Sequence, residues 1–180
     1  MEQHKRMPED EVTFLDQEAQ DFIAATGQSL AAYENVDAAL NYALDALMNY
    51  LGAEEGSIFL VDESSGDLVL TYAAGEVGAG IVGLRLGPGQ GVVGWVVKFS
   101  EDLIVPFPGL DARFFEGVDE RTGFVTRSIV CGPVRAEGKT VGAVEIMNKK
   151  RGTFNDDDIV VLRAIARLAA GVLTTTGKKG

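Results

Sequence analysis

The chain has 180 residues, 46% hydrophobic and 24% charged, a balance that fits one folded domain with a full hydrophobic core. Its formal net charge of −11 argues against DNA, RNA or an anionic membrane as the main partner, because each rewards clustered Lys and Arg. There is no run of about 18 apolar residues and no apolar signal core in MEQHKRMPEDEV, and the single cysteine (Cys131) and single histidine (His4) exclude a disulfide framework, leave too few ligands for most metal or haem sites, and predict a reducing cytoplasm.

In chain order, residues 1–10 are polar and read as a frayed end. Residues 11–31 carry a helical rhythm in Val12, Leu15, Ala19, Phe22, Ile23 and Leu30. A second helix is predicted from an Asn35 cap to Leu51, with Gly52 suited to the position after its end. Ser57–Val61 and Leu68–Ala73 read as the strands of a hairpin around residues 62–67. Residues 74–91 are glycine-rich and loop-like, 91–99 form a short helix, and Leu103–Pro106 a short strand. Ser128–Arg135 and Thr140–Asn148 are strands joined at Glu137-Gly138, a strong hairpin signal. The last helix opens at Asn155, with Asp156, Asp157 and Asp158 in its first turn, where the macrodipole favours carboxylates. Its apolar arc, with Val161, Ile165, Leu168 and Val172 on one flank and Leu162, Ala166, Ala169 and Leu173 on the other, is wider than one sheet contact requires. Deep burial and contact with a partner subunit both account for that arc. The order of elements predicts an α+β fold, with an antiparallel sheet carrying the terminal helices on one face and the irregular middle, 74–127, on the other.

Residues 111–135 are the most informative stretch. Asp119, Thr122 and Thr126 are short hydrogen-bonding residues at spacings of three and four, which on a helical turn places them on one face. Such a face beside a strand end lines a pocket for a small polar molecule. Gly89-Gln90-Gly91-Val92-Val93-Gly94 matches GxGxxG, and Asp111 lies 20 residues after Gly91. The following helix is too short for a parallel crossover, so the glycines are better read as a tight turn into a helix that packs Val92, Val93 and Trp95 inward. Cys131, mid-strand among apolar residues and without a nearby base, reads as a structural thiol. Adjacent Phe114 and Phe115 cannot both face one way on a helix, so one of them covers a ligand or a partner. Glu145 shares a face with Ala143 and Met147, and the sequence leaves open whether that face is buried. No carboxylate pair, Ser/His/Asp set or CxxC supports catalysis.

Residues 36–175 resemble a GAF domain, a small-molecule-binding regulatory module. The likeness rests on GSIFLVD (56–62), LRLGPGQGVVGW (84–95), FFEGVDERTGFVTRSIVCGPV (114–134), VGAVEIMNK (141–149) and the pair Phe154 and Asp158, in that order. The middle segment is most similar to GAF domains of cyclic-nucleotide phosphodiesterases and of some bacterial adenylate cyclases. The resemblance implies a GAF (PAS-like) fold of about six antiparallel strands, divided into an N-terminal tail and helix (1–34), the GAF domain (35–175) and a tail (176–180). It further implies a non-catalytic cytoplasmic sensor that binds a small ligand, a cyclic nucleotide among the candidates, and regulates an unknown downstream protein in trans as a homodimer through its terminal helices. The alternative is a ligand-free GAF scaffold serving dimerisation or protein interaction. The implied ligand contacts fall on Ser57, Ala73, Ala74, Val93, Asp119, Thr122, Thr126 and Glu145. Ala73-Ala74 stands where the cGMP-binding pattern has an aromatic–aspartate pair, which leaves cAMP or another ligand open. Of the family's NKFDE signature, Asn148, Lys149, Phe154 and Asp158 match while Ile159 replaces the glutamate, and Lys149 and Asp158 are expected to form a structural ion pair. One strand cysteine fits neither bilin attachment nor the multi-cysteine chemistry of free methionine-R-sulfoxide reductases, so no haem, bilin or metal is expected.

Overall fold

Two antiparallel hairpins form the frame of the molecule in the computed structural model, which describes residues 12–177. The polar end read at 1–10, with His4, lies outside the described residues. Strands β1 (Ala53–Val61) and β2 (Leu68–Ala74) turn through residues 62–67, where Asp62 accepts hydrogen bonds from the Ser64 amide and hydroxyl. Strands β5 (Ile129–Ala136) and β6 (Lys139–Lys149) turn at Glu137 and Gly138. Their φ values of 50° and 78° are the left-handed pair that a two-residue hairpin turn requires. β1 and β6 pair with each other. Short edge strands β3 (Arg85–Leu86) and β4 (Leu103–Val105) complete a six-stranded antiparallel sheet in the order β3-β2-β1-β6-β5-β4.

Side-chain caps start the long helices. Asp16 caps α1 (Gln17–Ala31) by accepting from the Ala19 amide, and Asn35 caps α2 (Val36–Tyr50) by accepting from the Ala38 amide. The 11–31 rhythm therefore divides: the helix proper begins at Gln17, while Leu15 is buried and Val12 packs on the core from the preceding turn. α5 (Asp156–Gly177) opens with a reciprocal cap, Asn155 Oδ1 accepting from the Asp158 amide and Asp158 Oδ2 from the Asn155 amide, each at 3.0 Å. Between β3 and β5 lie α3 (Gly91–Phe99) and the short α4 (Gly117–Thr122).

The sheet separates two cores. On one face, Leu40, Leu44 and Leu47 of α2 and Leu162, Ile165 and Ala166 of α5 pack on Val130, Val144 and Ile146. A Cβ at Gly132 would lie 2.5 Å from Leu162, so the glycine lets α5 settle onto β5. α5 touches the sheet on one flank and α1 and α2 on another, and this accounts for its wide apolar arc within one chain. On the other face, Phe59, Leu70, Val92, Val96, Ile129 and Cys131 form a second core under α3. The α+β architecture, with the terminal helices on one face and the irregular middle on the other, is the one the sequence predicts.

Candidate functional site

The strand pairings align Ala73, Ser57, Glu145, Cys131 and Leu103 in one row across five strands. Directly paired residues of an antiparallel ladder project to the same face, here the face away from α5. α3, α4 and the irregular segments within residues 75–127 cover that row as a lid. Between floor and lid lies a recess of about 70 Å³, with Ser57, Phe59, Glu145 and Met147 on the floor, Val92 and Val93 from α3, and Phe114, Phe115, Val118, Asp119 and Thr126 from the lid.

The floor carries two neighbouring polar side chains, Ser57 and Glu145. Ser57 is 4% exposed and its hydroxyl has no hydrogen-bond partner. Glu145, beside it, faces the recess. Its carboxyl is pushed up to about 7, first by burial and then by the negative charge of Asp119, while the adjacent Ser57 hydroxyl works in the opposite direction. On its other side Cys131 is fully buried, and burial, followed by the charges of Glu145 and Asp102, raises its thiol well above the usual range. A thiol held neutral in this way is a poor nucleophile.

The lid is held by bonds among its own residues and by sheet residues at its two ends. Asp119 accepts from the amide and the hydroxyl of Thr126, both at 2.7 Å. Thr122 Oγ1 donates to Val118 O at 2.9 Å and accepts from the Phe124 amide at 3.2 Å. α4 ends at Gly123, whose φ is +75°, so Asp119, Thr122 and Thr126 do not share one helical face as the spacing predicts. Thr126 instead reaches Asp119 because the chain reverses after Gly123. At the lid's start, Glu55, 5% exposed, accepts from the amides of Val77 and Gly78. At its end, Asn148 is fully buried with φ +60°. Its side chain accepts from the Arg127 amide at 2.6 Å and donates to Val125 O and Glu54, each at 2.9 Å. Arg113 stacks over Trp95 at 5.1 Å and pairs with Asp111 at 2.6 Å, and this pairing lowers the Asp111 carboxyl to about 2.

Of the eight residues singled out as contacts, Ser57, Val93, Asp119, Thr126 and Glu145 meet around the recess. Three do not line it. Thr122 is turned into its own helix end. Ala73 is on the correct face but lies under Gly78, where an added Cβ would come within 2.7 Å of the Ala73 methyl. Ala74 pairs with Gly56 and points into the helix-side core, because neighbouring residues of a strand face opposite ways. Lys149 and Asp158 are ion-paired at 2.5 Å at the start of α5, with Lys149 5.7 Å from the centre of the Phe154 ring. They clamp β6 to α5 and lie apart from the recess. The sequence reading placed Met147 on the face of Glu145 but missed Phe59, two residues along the strand from Ser57, which the same alternation finds. It also missed Glu55, for which no local pattern signals burial. Among the described residues no group of three or more His, Cys, Asp or Glu side chains is placed to hold a metal ion.

A family model for the GAF domain matches residues 34–174. The probable 3′,5′-cyclic phosphodiesterase pde-5 of Caenorhabditis elegans is 26% identical over 133 residues, 69% of this chain and 18% of that protein. The dual 3′,5′-cyclic-AMP and -GMP phosphodiesterase 11A of Takifugu rubripes is 29% identical over 122 residues, 62% of this chain and 14% of that protein. The chain therefore spans less than a fifth of the length of either relative. Among solved structures, the GAF domain of a phosphoenolpyruvate-protein phosphotransferase from Coxiella burnetii superposes with a TM-score of 0.79 at 22% identity, covering 89% of this chain and 96% of that one. A free methionine-R-sulfoxide reductase from Neisseria meningitidis superposes with a TM-score of 0.77 at 17% identity, covering 92% and 96%. At these identities the structural likeness shows the shared fold.

Proposed function

The chain belongs to the GAF family, a family of sensor domains, and from that premise we propose that it binds a small ligand between the sheet floor and the lid and signals the occupancy to a partner in trans. The observation that carries this reading is the Ser57 hydroxyl, buried without a hydrogen-bond partner beside the raised Glu145 carboxyl. Such a group costs about 1–3 kcal/mol while it stays unsatisfied, and a ligand that reaches the floor satisfies it.

Size dictates how this works. Pockets for drug-sized ligands measure roughly 300–1,000 Å³, against about 70 Å³ here. A cyclic nucleotide therefore requires Phe114 and Phe115 to swing out, so binding and lid movement are one event. A ligand shifts such an equilibrium only by its differential affinity for the two lid positions. One physical route leads from the recess to α5. α3 lines the recess, and its C-cap Ser100 is held by Arg135 and Thr140. Asp102, two residues on, pairs with Arg163 of α5 at 2.5 Å. We place the homodimer contact on α1 and α5, where half-buried Leu168 and Val172 border a groove with Leu30 and Tyr33. A mass that stays monomeric at every concentration would count against that contact.

The second reading, a scaffold without a ligand, is favoured by two features: the recess lined by Phe114 and Phe115 measures only about 70 Å³, and Asp119 and Thr126 satisfy each other. A screen of cAMP, cGMP and other nucleotides by thermal shift and native mass spectrometry separates the two. Saturable binding of any of them supports the sensor, and a flat response to all of them supports the scaffold.

A further inference from the structure

The recess has a one-sided charge. Glu145 on its floor and Asp119 on its lid are both carboxyls, and no Lys, Arg or His lines it. The nearby cations are committed elsewhere: Arg113 to Asp111, Arg127 to Glu54 and Lys149 to Asp158. The one positive element is the first turn of α3, at Gly91–Val93, and a helix N-terminus amounts to only about half a charge. Two carboxyls outweigh it. Asp119 already accepts two hydrogen bonds from Thr126, which leaves Glu145 and the unpartnered Ser57 hydroxyl as the groups open to a ligand. Both can accept a hydrogen bond. The rest of the lining, including Phe59, Leu70, Phe114 and Val118, is apolar.

We propose that this recess takes the cationic nitrogen of a small amphipathic amine, its N–H groups donating to Glu145 and Ser57 and its apolar body lying against Phe59 and Phe114. A phosphate is the wrong end for this floor, because it would bring a third negative group to two carboxyls. The proposal rests on the sensor reading of the same site and names its ligand class. A proton is linked to the event. A cation beside Glu145 favours its ionised form, so binding at acid pH expels the Glu145 proton and is weaker there. The charged groups that act on Glu145 are Asp119 from the lid, and Cys131 on the neighbouring strand stays neutral.

The test is a titration of the whole chain with three probes of one shape, 2-phenylethylamine, 2-phenylethanol and phenylacetate, alongside cAMP and cGMP, by calorimetry at pH 6, 7 and 8. The expected result is that the amine binds about tenfold or more tighter than the alcohol, the worth of one charge-assisted hydrogen bond, and that phenylacetate does not bind. Amine affinity rises by about tenfold from pH 6 to pH 8 as a carboxyl titrating near 7 ionises, and Glu145→Gln removes that rise. The probe series on the wild-type chain stands whether or not the variant folds. Equal binding of amine and phenylacetate, or an amine affinity that does not change with pH, overturns the proposal. Binding of a cyclic nucleotide without the amine overturns it while the sensor reading stands. Binding of none of the five overturns both.

Discussion

The two faces of the sheet are made from the same six strands and built to opposite specifications. On the helix side the core is closely packed and predominantly apolar: Leu44, Leu47, Ile146, Leu162 and Ile165 are all 2% exposed or less. Its few polar groups are bonded, Thr26 to Phe22 O and the Tyr72 hydroxyl to Asp37. On the lid side the same strands present Ser57 and Glu145 to a recess, under a cover stitched by its own hydrogen bonds. A face that exists to be stable has no reason to bury an unpartnered hydroxyl beside a carboxyl raised to about 7. The contrast sets a closely packed, predominantly apolar face against one whose core under α3 adjoins a recess that carries Ser57 and Glu145, the face proposed above to bind a ligand.

The largest expected effect tests the stable side. Leu162→Ala removes a fully buried side chain from the contact between α5 and β5 and should cost about 2–5 kcal/mol in urea denaturation, whereas Phe115→Ala, at a partly exposed lid position, should cost far less and enlarge the recess. Equal costs would erase the distinction between the faces. Asn148→Ala comes next. It removes the hydrogen bonds that hold residues 125–128 and puts a Cβ-bearing residue without a polar side chain at φ +60°, for a loss of about 2–3 kcal/mol. Hydrogen exchange should quicken at 125–128 before it does in α2.

Glu145→Gln sharpens the comparison through pH. The wild-type carboxyl is raised from 4.5 to about 7, so it holds its proton more tightly folded than unfolded. Its contribution is complete below pH 4.5 and is lost as the pH rises through about 7. The variant lacks that slope and should be the more stable protein at pH 8, by up to about 3 kcal/mol, in urea titrations at pH 5 and pH 8. A wild type that is equally stable or more stable at pH 8 would contradict the raised Glu145 carboxyl. The smallest effect is expected outside both faces. Arg85 pairs with Asp62 and Asp67 in the open, where water screens such pairs, and Arg85→Ala should leave the urea midpoint close to that of the wild type.

The fold was legible wherever a local pattern carries its own physical cause. The Asn35 and Asn155 caps, the Glu137-Gly138 turn and α3 at 91–99 all stand where the residues predict them, and the family likeness anticipated the six-strand sheet. The site was legible only in part, because its assembly is not local. Helical spacing put Asp119, Thr122 and Thr126 together, but Gly123 ends the helix, and only the chain reversal returns Thr126 to Asp119. Ala73 and Ala74 were named as a pair, yet strand alternation sends the second into the opposite core. β3 is two residues long inside a glycine-rich stretch and is a strand only because Leu68 and Val69 pair with it. Whether Glu145 is recessed depends on what covers it, and that cover comes from residues about 30 positions earlier in the chain.

The claim that the lid face is a binding site has one direct test, a two-dimensional amide NMR titration of the whole chain with cAMP, cGMP and 2-phenylethylamine. At least one of the three should shift the amides of Ser57, Phe114, Phe115, Asp119 and Glu145 saturably while Leu44 and Leu47 stay in place. Unchanged spectra with all three, or shifts confined to Gly27, Leu168 and Val172 in the groove between α1 and α5, would contradict it.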